Sequence, residues 1–239
     1  MNITYAQFAK MIDPSSLKLD TSYADFDALV SACKKYSFGC AFIWPAYYAE
    51  MCEALKGTVT EFGTSLSFPS GQEATEIKVQ QARYFTSLGA EQVDMVMNVG
   101  FLKSGRYDQA RADIAAVREA TKYTSLKVII EAMLLTDEQI TKACEIVADC
   151  GADYVKSGTG FSTDPTTLHH IAVMKKAVGN RCKIKAAGGV RSLDTLTKMH
   201  ALGVTRFGIG YKNAIVIAEE AMTFKDKIEI PDIRFEDYL

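Results

Sequence analysis

Two segments decide the fold: Tyr154–Phe161, Y-V-K-S-G-T-G-F, and Lys183–Arg191, K-I-K-A-A-G-G-V-R. Each is a short apolar run with a lysine near its C-terminal end, Lys156 in the first and Lys185 in the second, followed by small residues and glycine. Burying an ammonium in an apolar strand is costly, because desolvation disfavours the charged form. Two such lysines point to a site built around an amine. An amine kept partly neutral by burial and by a cationic neighbour can attack a carbonyl and form a Schiff base.

Working outward, the same alternation recurs along the chain. Strand-like runs fall at 39–45, 64–69, 92–98, 127–133, 153–159, 183–189 and 204–210, with a weaker first run at 11–17. Helical patterns lie near 22–37, 46–56, 74–89, 105–121, 136–150, 164–178, 192–202 and 213–226. Thr136, Asp164 and Ser192 suit N-cap positions, and Gly89, Gly151 and Gly203 suit helix ends. Eight strand–helix units imply a parallel sheet with helical crossovers, and in 239 residues their number matches a (β/α)8 barrel, an α/β fold. A doubly wound open sheet is the alternative, weakened by the lack of a G-x-G-x-x-G motif after the first strand. With no linker-like stretch, residues 1–239 read as one domain. Its acidic, aromatic tail at about 227–239 packs on the surface, and Phe235 and Tyr238 are candidates for a lid over the mouth.

Composition narrows the function. A formal net charge of −2 gives no case for nucleic acid. No apolar run reaches the ~20 residues that span a bilayer, and the N-terminus lacks a secretory pattern, so the expected location is cytoplasmic. The six cysteines form no C-x-x-C pair and read as reduced core thiols; no metal-ligand spacing is present and no metal is expected. His169, His170 and His200 read as surface residues. Trp44, before Pro45, either lines a pocket or packs.

In such a barrel the site is built at the C-terminal ends of the strands. The candidates there are Asp13, Asp94, Asn98, Lys127, Glu131, Lys156 and Lys185. Alternation puts Gln92, Asp94 and Asn98 on one face, Lys127 with Glu131, and Lys183 with Lys185. Lys156 is the expected nucleophile, Lys185 the ammonium that lowers its pKa, and Asp94 the proton carrier. The competing reading is a structural ion pair of either lysine with Glu131 or Asp94. Gly188 and Gly189 expose backbone N–H groups before a helix, an anion site. The G-I-G-Y-K-N segment at 208–213 adds Gly208, Gly210 and Lys212.

With these residues in view the sequence resembles deoxyribose-phosphate aldolase, a class I aldolase family with a (β/α)8 fold. The likeness rests on V-D-M-V-M-N-V-G at 93–100, L-K-V-I-I-E at 126–131, L-L-T-D-E at 134–138, G-A-D-Y-V-K-S-G-T-G-F-S at 151–162 and K-A-A-G-G-V-R at 185–191. It runs from about residue 11 to about 210. The resemblance implies a Schiff base on Lys156, assistance from Lys185 and proton transfer by Asp94. The reaction implied is reversible cleavage of 2-deoxy-D-ribose 5-phosphate into D-glyceraldehyde 3-phosphate and acetaldehyde, without a metal or organic cofactor. The partners implied are small aldehydes and sugar phosphates, and a homodimer or higher homo-oligomer is compatible with it.

The chain departs from the family pattern at D-P-S-S-L-K (13–18) in place of D-H-T-x-L-K, at Trp44-Pro45, at Ala132 in place of Thr, and at G-I-G-Y-K in place of G-A-S-S-G. Two alternatives therefore stand beside the main reading. One is the same mechanism on another phosphorylated or unphosphorylated aldol. The other is a non-catalytic barrel that binds a sugar phosphate.

Overall fold

The computed structural model describes residues 1–239. In chain order the elements are β1 (Asn2–Ile3), α1 (Tyr5–Met11), β2 (Ile12–Ser16), α2 (Tyr23–Tyr36), β3 (Cys40–Ile43), α3 (Tyr48–Leu55) and β4 (Glu61–Leu66). There follow α4 (Thr75–Ser87), β5 (Gln92–Val96), α5 (Val99–Lys103), α6 (Tyr107–Ala120), β6 (Ser125–Ile129), α7 (Asp137–Asp149) and β7 (Tyr154–Lys156). The chain ends with α8 (Leu168–Val178), β8 (Lys183–Ala187), α9 (Leu193–Ala201), β9 (Val204–Gly210), α10 (Tyr211–Met222) and β10 (Ile228–Glu229). Strands β2 to β9 run in order around a closed, all-parallel barrel, with β9 pairing back onto β2. This is the (β/α)8 architecture, and the open-sheet alternative is excluded by that closure.

Alternation sorts the strand residues into two environments. Val93, Met95, Leu126, Val128, Val155 and Ile184 face outward and join the apolar layer beneath the helices. Gln92, Asp94, Lys127, Lys156 and Lys185 share the other face and fill the barrel with charge. Helix starts are fixed by hydroxyl caps: Thr4, Ser22, Thr136 and Thr167 each form a reciprocal capping box, and Ser192 caps α9. Gly89, Gly151 and Gly203 all take positive φ just past a helix, as their placement suggests.

Several sequence expectations need correction. Asp164 is not the cap of α8. The helix begins three residues later behind Thr167, because Thr166 is held by backbone and hydroxyl bonds to Gly188 and Ala187. The strand expected at 64–69 is shifted to Glu61–Leu66. The short elements α1, α5, β1 and β10 carry too little pattern to be read in advance. The three histidines lie at the surface, as expected, but each is partly covered and hydrogen-bonded. His169 bonds Asp137 (2.9 Å) and the Tyr238 carbonyl (2.7 Å), His170 accepts from the Thr167 N–H, and His200 bonds the Val204 carbonyl.

Strands β1 and β10 pair antiparallel. The tail then runs alongside α8, where Phe235 and Tyr238 pack against the core. Neither lines the central cavity.

One ion pair outside the barrel braces the strand that carries Asp94. Lys78 on α4 is fully buried, meets Asp113 on α6 at 2.6 Å and reaches the Val96 carbonyl at 3.3 Å. Removing the carboxylate leaves a buried ammonium unpaired. Asp113→Ala is expected to lose about 3–5 kcal/mol in urea denaturation, well beyond an ordinary surface substitution.

Candidate active site

The pairing register sets the charged side chains in two successive layers of the barrel interior. Asp94 lies opposite Lys127 across β5 and β6, and Lys156 lies opposite Lys185 across β7 and β8. The Asp94 carboxylate, fully buried, is the common partner. Its Oδ2 accepts from Lys156 Nζ and from Lys185 Nζ, each at 2.8 Å, and its Oδ1 lies 3.2 Å from Lys127 Nζ. Lys185 has a second carboxylate, Asp13 on β2, at 2.7 Å. Arg206 on β9 closes the ring, with Nε 3.0 Å from Asp13 Oδ1. Beneath this, Lys127 donates to Gln92 Oε1, and Gln92 donates to Glu61.

Four cationic side chains thus surround two carboxylates. Burial and the surplus of cations together set the proton affinity of each amine. Burial is the largest influence on Lys156 and lowers its pKa; Lys185 and Lys127 push the same way, and the shared Asp94 is too weak a counterweight. The result is a pKa lowered to about 8. Burial also works against the Lys185 ammonium, but Asp13 and Asp94 overrule it and hold its pKa above the ordinary lysine value. Lys127 is lowered, chiefly by burial. Burial disfavours the Asp94 carboxylate too, yet Lys127, Lys156 and Lys185 outweigh it and keep the group below the usual carboxylate range.

Above the cluster opens a cavity of about 750 Å³. Lys156, Lys185, Asp13 and Phe42 line its depth, while Gly188, Gly189, Arg191, Gly208, Gly210 and Lys212 line its upper part. Gly188 and Gly189 both adopt φ of +88°, and a Cβ on Gly189 would run into Pro165, so glycine is required there. The segment at 208–213 is not a free loop. Strand β9 runs through Gly210 directly into α10, which puts Lys212 in the first helical turn. There Lys212 is exposed and sits 3.8 Å from Asp25, a carboxylate that also accepts the Tyr211 hydroxyl at 2.9 Å.

Not every candidate joins the cluster. Asn98 caps α5 by accepting the Phe101 N–H at 3.0 Å. Glu131 has a left-handed backbone, φ 51°, and accepts the Thr159 N–H at 3.1 Å, so it is no partner of either lysine. Lys183 is exposed at the start of β8. Trp44 donates to the Lys18 carbonyl at 2.7 Å and meets Phe68 and Phe161 edge-on, a packed aromatic wall in which only Phe161 reaches the cavity. Arg206 and Phe42 were missed. Alternation with Gly208 marks Arg206 as inward, but an arginine at a strand's middle carries no motif.

Ser157 fixes the nucleophile's strand. Its hydroxyl meets the Thr166 hydroxyl at 2.9 Å, donates to the Ala187 carbonyl at 3.0 Å and accepts the Ala187 N–H at 3.0 Å. The ends of β7 and β8 are thereby locked together, which limits relative motion of the two amines.

Comparison with known proteins places the chain in a family. A model of the DeoC/LacD family aldolases matches residues 8–208. The deoxyribose-phosphate aldolase of Lysinibacillus sphaericus is 41% identical over 87% of this chain and 94% of its own length. That of Carboxydothermus hydrogenoformans is 38% identical over 86% and 92%. Among solved structures, the aldolase QR15 superposes with a TM-score of 0.85 at 30% identity, covering 90% of this chain and 96% of its own. The tetrameric deoxyribose phosphate aldolase of Aeropyrum pernix gives 0.82 at 24% identity over 92% of both chains, a likeness of fold. With the family match spanning most of the chain and the barrel and its lysine-rich interior in place, this protein belongs to the DeoC/LacD family of aldolases.

Proposed function

We propose that the chain is a class I deoxyribose-phosphate aldolase that works through a Schiff base on Lys156. The observation that carries this is the Asp94 carboxylate shared by three lysines, which leaves Lys156 lowered to about 8 at the floor of an open cavity. A substantial share of that amine is neutral near pH 8, whereas an ordinary lysine is almost wholly protonated. The names of the relatives support the substrate, 2-deoxy-D-ribose 5-phosphate.

The neutral Lys156 amine attacks the aldehyde carbon of the open-chain sugar, and loss of water gives an iminium. The C3 hydroxyl then yields its proton, the C2–C3 bond breaks, and its electron pair flows toward the iminium nitrogen to give an enamine. D-Glyceraldehyde 3-phosphate leaves. Protonation of the enamine carbon and hydrolysis release acetaldehyde and restore the amine. Asp94, bonded to both amines through Oδ2, carries protons between them, and Lys185 supplies them as the retained ammonium. Gly188, Gly189, Gly208, Gly210 and Lys212 form the phosphate end of the cavity in this reading, with the N-terminal N–H groups of α10 and the side chain of Arg191.

The Asp25 carboxylate beside Lys212 favours a second reading, the same chemistry on an unphosphorylated aldol, because it offsets the charge that would attract a phosphate. As part of the same proposal the enzyme is cytoplasmic and self-associates, as the Aeropyrum pernix protein does. The structure has no helix long and apolar enough to cross a membrane.

Borohydride added with acetaldehyde should fix an adduct that peptide mapping places on Lys156. Lys156→Ala should lose essentially all aldol activity while keeping its circular dichroism; an adduct elsewhere refutes the assignment. A kcat/KM comparison of 2-deoxyribose with its 5-phosphate separates the two substrate readings.

The tuning of the nucleophile has its own signature. Lys185→Met removes a positive charge from beside Lys156 and frees Asp94 to favour the Lys156 ammonium. The Lys156 pKa therefore rises, and the pH midpoint of acetaldehyde trapping should move up by about one unit or more. A midpoint that stays near 8 would show that burial alone sets the pKa.

A further inference from the structure

The end of β3 sends Phe42 into the charge cluster. Its ring is almost fully buried, and its centroid lies 4.0 Å from Lys185 Nζ, 5.2 Å from Lys127 Nζ and 6.0 Å from Lys156 Nζ. An ammonium at such distances is attracted to the face of the ring, most strongly at the shortest. The opposite constraint comes from β4, where Gly63 is the register partner of Phe42. A Cβ on Gly63 would lie 2.5 Å from the ring's Cζ and 2.7 Å from Cε1, so the ring occupies the space that this glycine leaves open. Cys40, two residues earlier on the same face, is also fully buried. The ring is thus held between the β4 backbone and the Lys185 ammonium, and it forms part of the cavity wall together with Lys156 and Lys185.

We propose that Phe42 sets the size of the carbonyl donor that condenses on Lys156. This rests on the Schiff-base reading above. The imine carbon is one bond from Lys156 Nζ and the donor's second carbon is two bonds away, which brings both within reach of a ring whose centroid is 6.0 Å from that nitrogen. Acetaldehyde places only hydrogen and one small carbon there. A ketone puts a further carbon on the imine carbon, and a longer aldehyde extends the second carbon. Either must displace a ring that cannot withdraw, because the space behind it is filled by the backbone at Gly63. Close-packed walls of this kind reject an extra methyl group sterically. Phe42 thereby selects the two-carbon donor without touching a proton.

The test measures kcat/KM in the condensation direction, with acetaldehyde, propanal or acetone as donor and D-glyceraldehyde 3-phosphate as acceptor. The wild type should strongly prefer acetaldehyde. Phe42→Ala should raise the ratio of propanal or acetone to acetaldehyde by about tenfold or more, the effect of one methyl-sized space in an apolar pocket. Phe42→Leu should give a smaller shift in the same direction, and it carries the test where the alanine variant folds poorly. Unchanged ratios in both variants, or a parallel fall with all donors, overturn the proposal. Borohydride trapping separates this failure from that of the mechanism: a wild type that fixes no acetaldehyde on Lys156 refutes the Schiff-base reading, whereas trapping with unaltered donor ratios refutes only the role of Phe42.

Discussion

One carboxylate organises the centre of this barrel. Asp94 has two oxygens and three lysine partners, and it has no access to water that could screen them. In a polar solvent the arrangement would be of little consequence, because such charges interact weakly at high dielectric. Within a closed barrel, burial and the shortage of negative charge both favour the neutral form of an amine. Lys185 is protected by a second carboxylate, Asp13, while Lys156 has only its share of Asp94. Lys127 also has only its share of Asp94, so the count of partners sets Lys185 apart, and it is the open cavity, lined by Lys156 and not by Lys127, that makes Lys156 the amine a carbonyl can reach.

That arrangement depends on strand register. Because the partners lie opposite one another across β5–β6 and β7–β8, a slip of one residue on any of these strands would turn a charged group outward, into the apolar layer under the helices. The outward positions, among them Val93, Val128, Val155 and Ile184, are what hold the register. The cost of confining so much charge is met by the apolar packing outside the barrel, and the reactive centre inherits its rigidity from residues that never approach the substrate. The Ser157–Thr166–Ala187 bonds and the Gly63–Phe42 fit add to this at the level of the amines themselves.

Much of this was legible in the sequence because period and chemistry coincide. The alternation of short apolar runs with capped helices gives the eight units, and a lysine repeated near the ends of two runs stands out against an apolar background. What could not be read was whatever depends on geometry between distant segments. Asn98 shares the face of Asp94 by alternation, but the strand has ended before it and its side chain serves as a helix cap. Glu131 is likewise past the end of β6 and has a left-handed backbone, so counting by twos fails there. Arg206 and Phe42 lie in strands of unremarkable composition, and only barrel closure brings them to Asp13 and Lys185. Asp164 is a good capping residue in isolation, overruled by the bonds that tie Thr166 to β8.

The two ends of the cavity answer to different constraints. The amine end is built from side chains on paired strands, where a change in one charge alters the balance at every other. The upper end is built from glycines in left-handed conformations, from the first turn of α10 and from Lys212, a side chain exposed to water and loosely engaged by Asp25. Interactions there are screened and nearly independent of one another. Substitutions at that end can change which group of the substrate is held without disturbing the proton balance below. The exception is Phe42, which belongs to the amine end and yet shapes the substrate, so a change there has to be accommodated by Gly63 on the neighbouring strand.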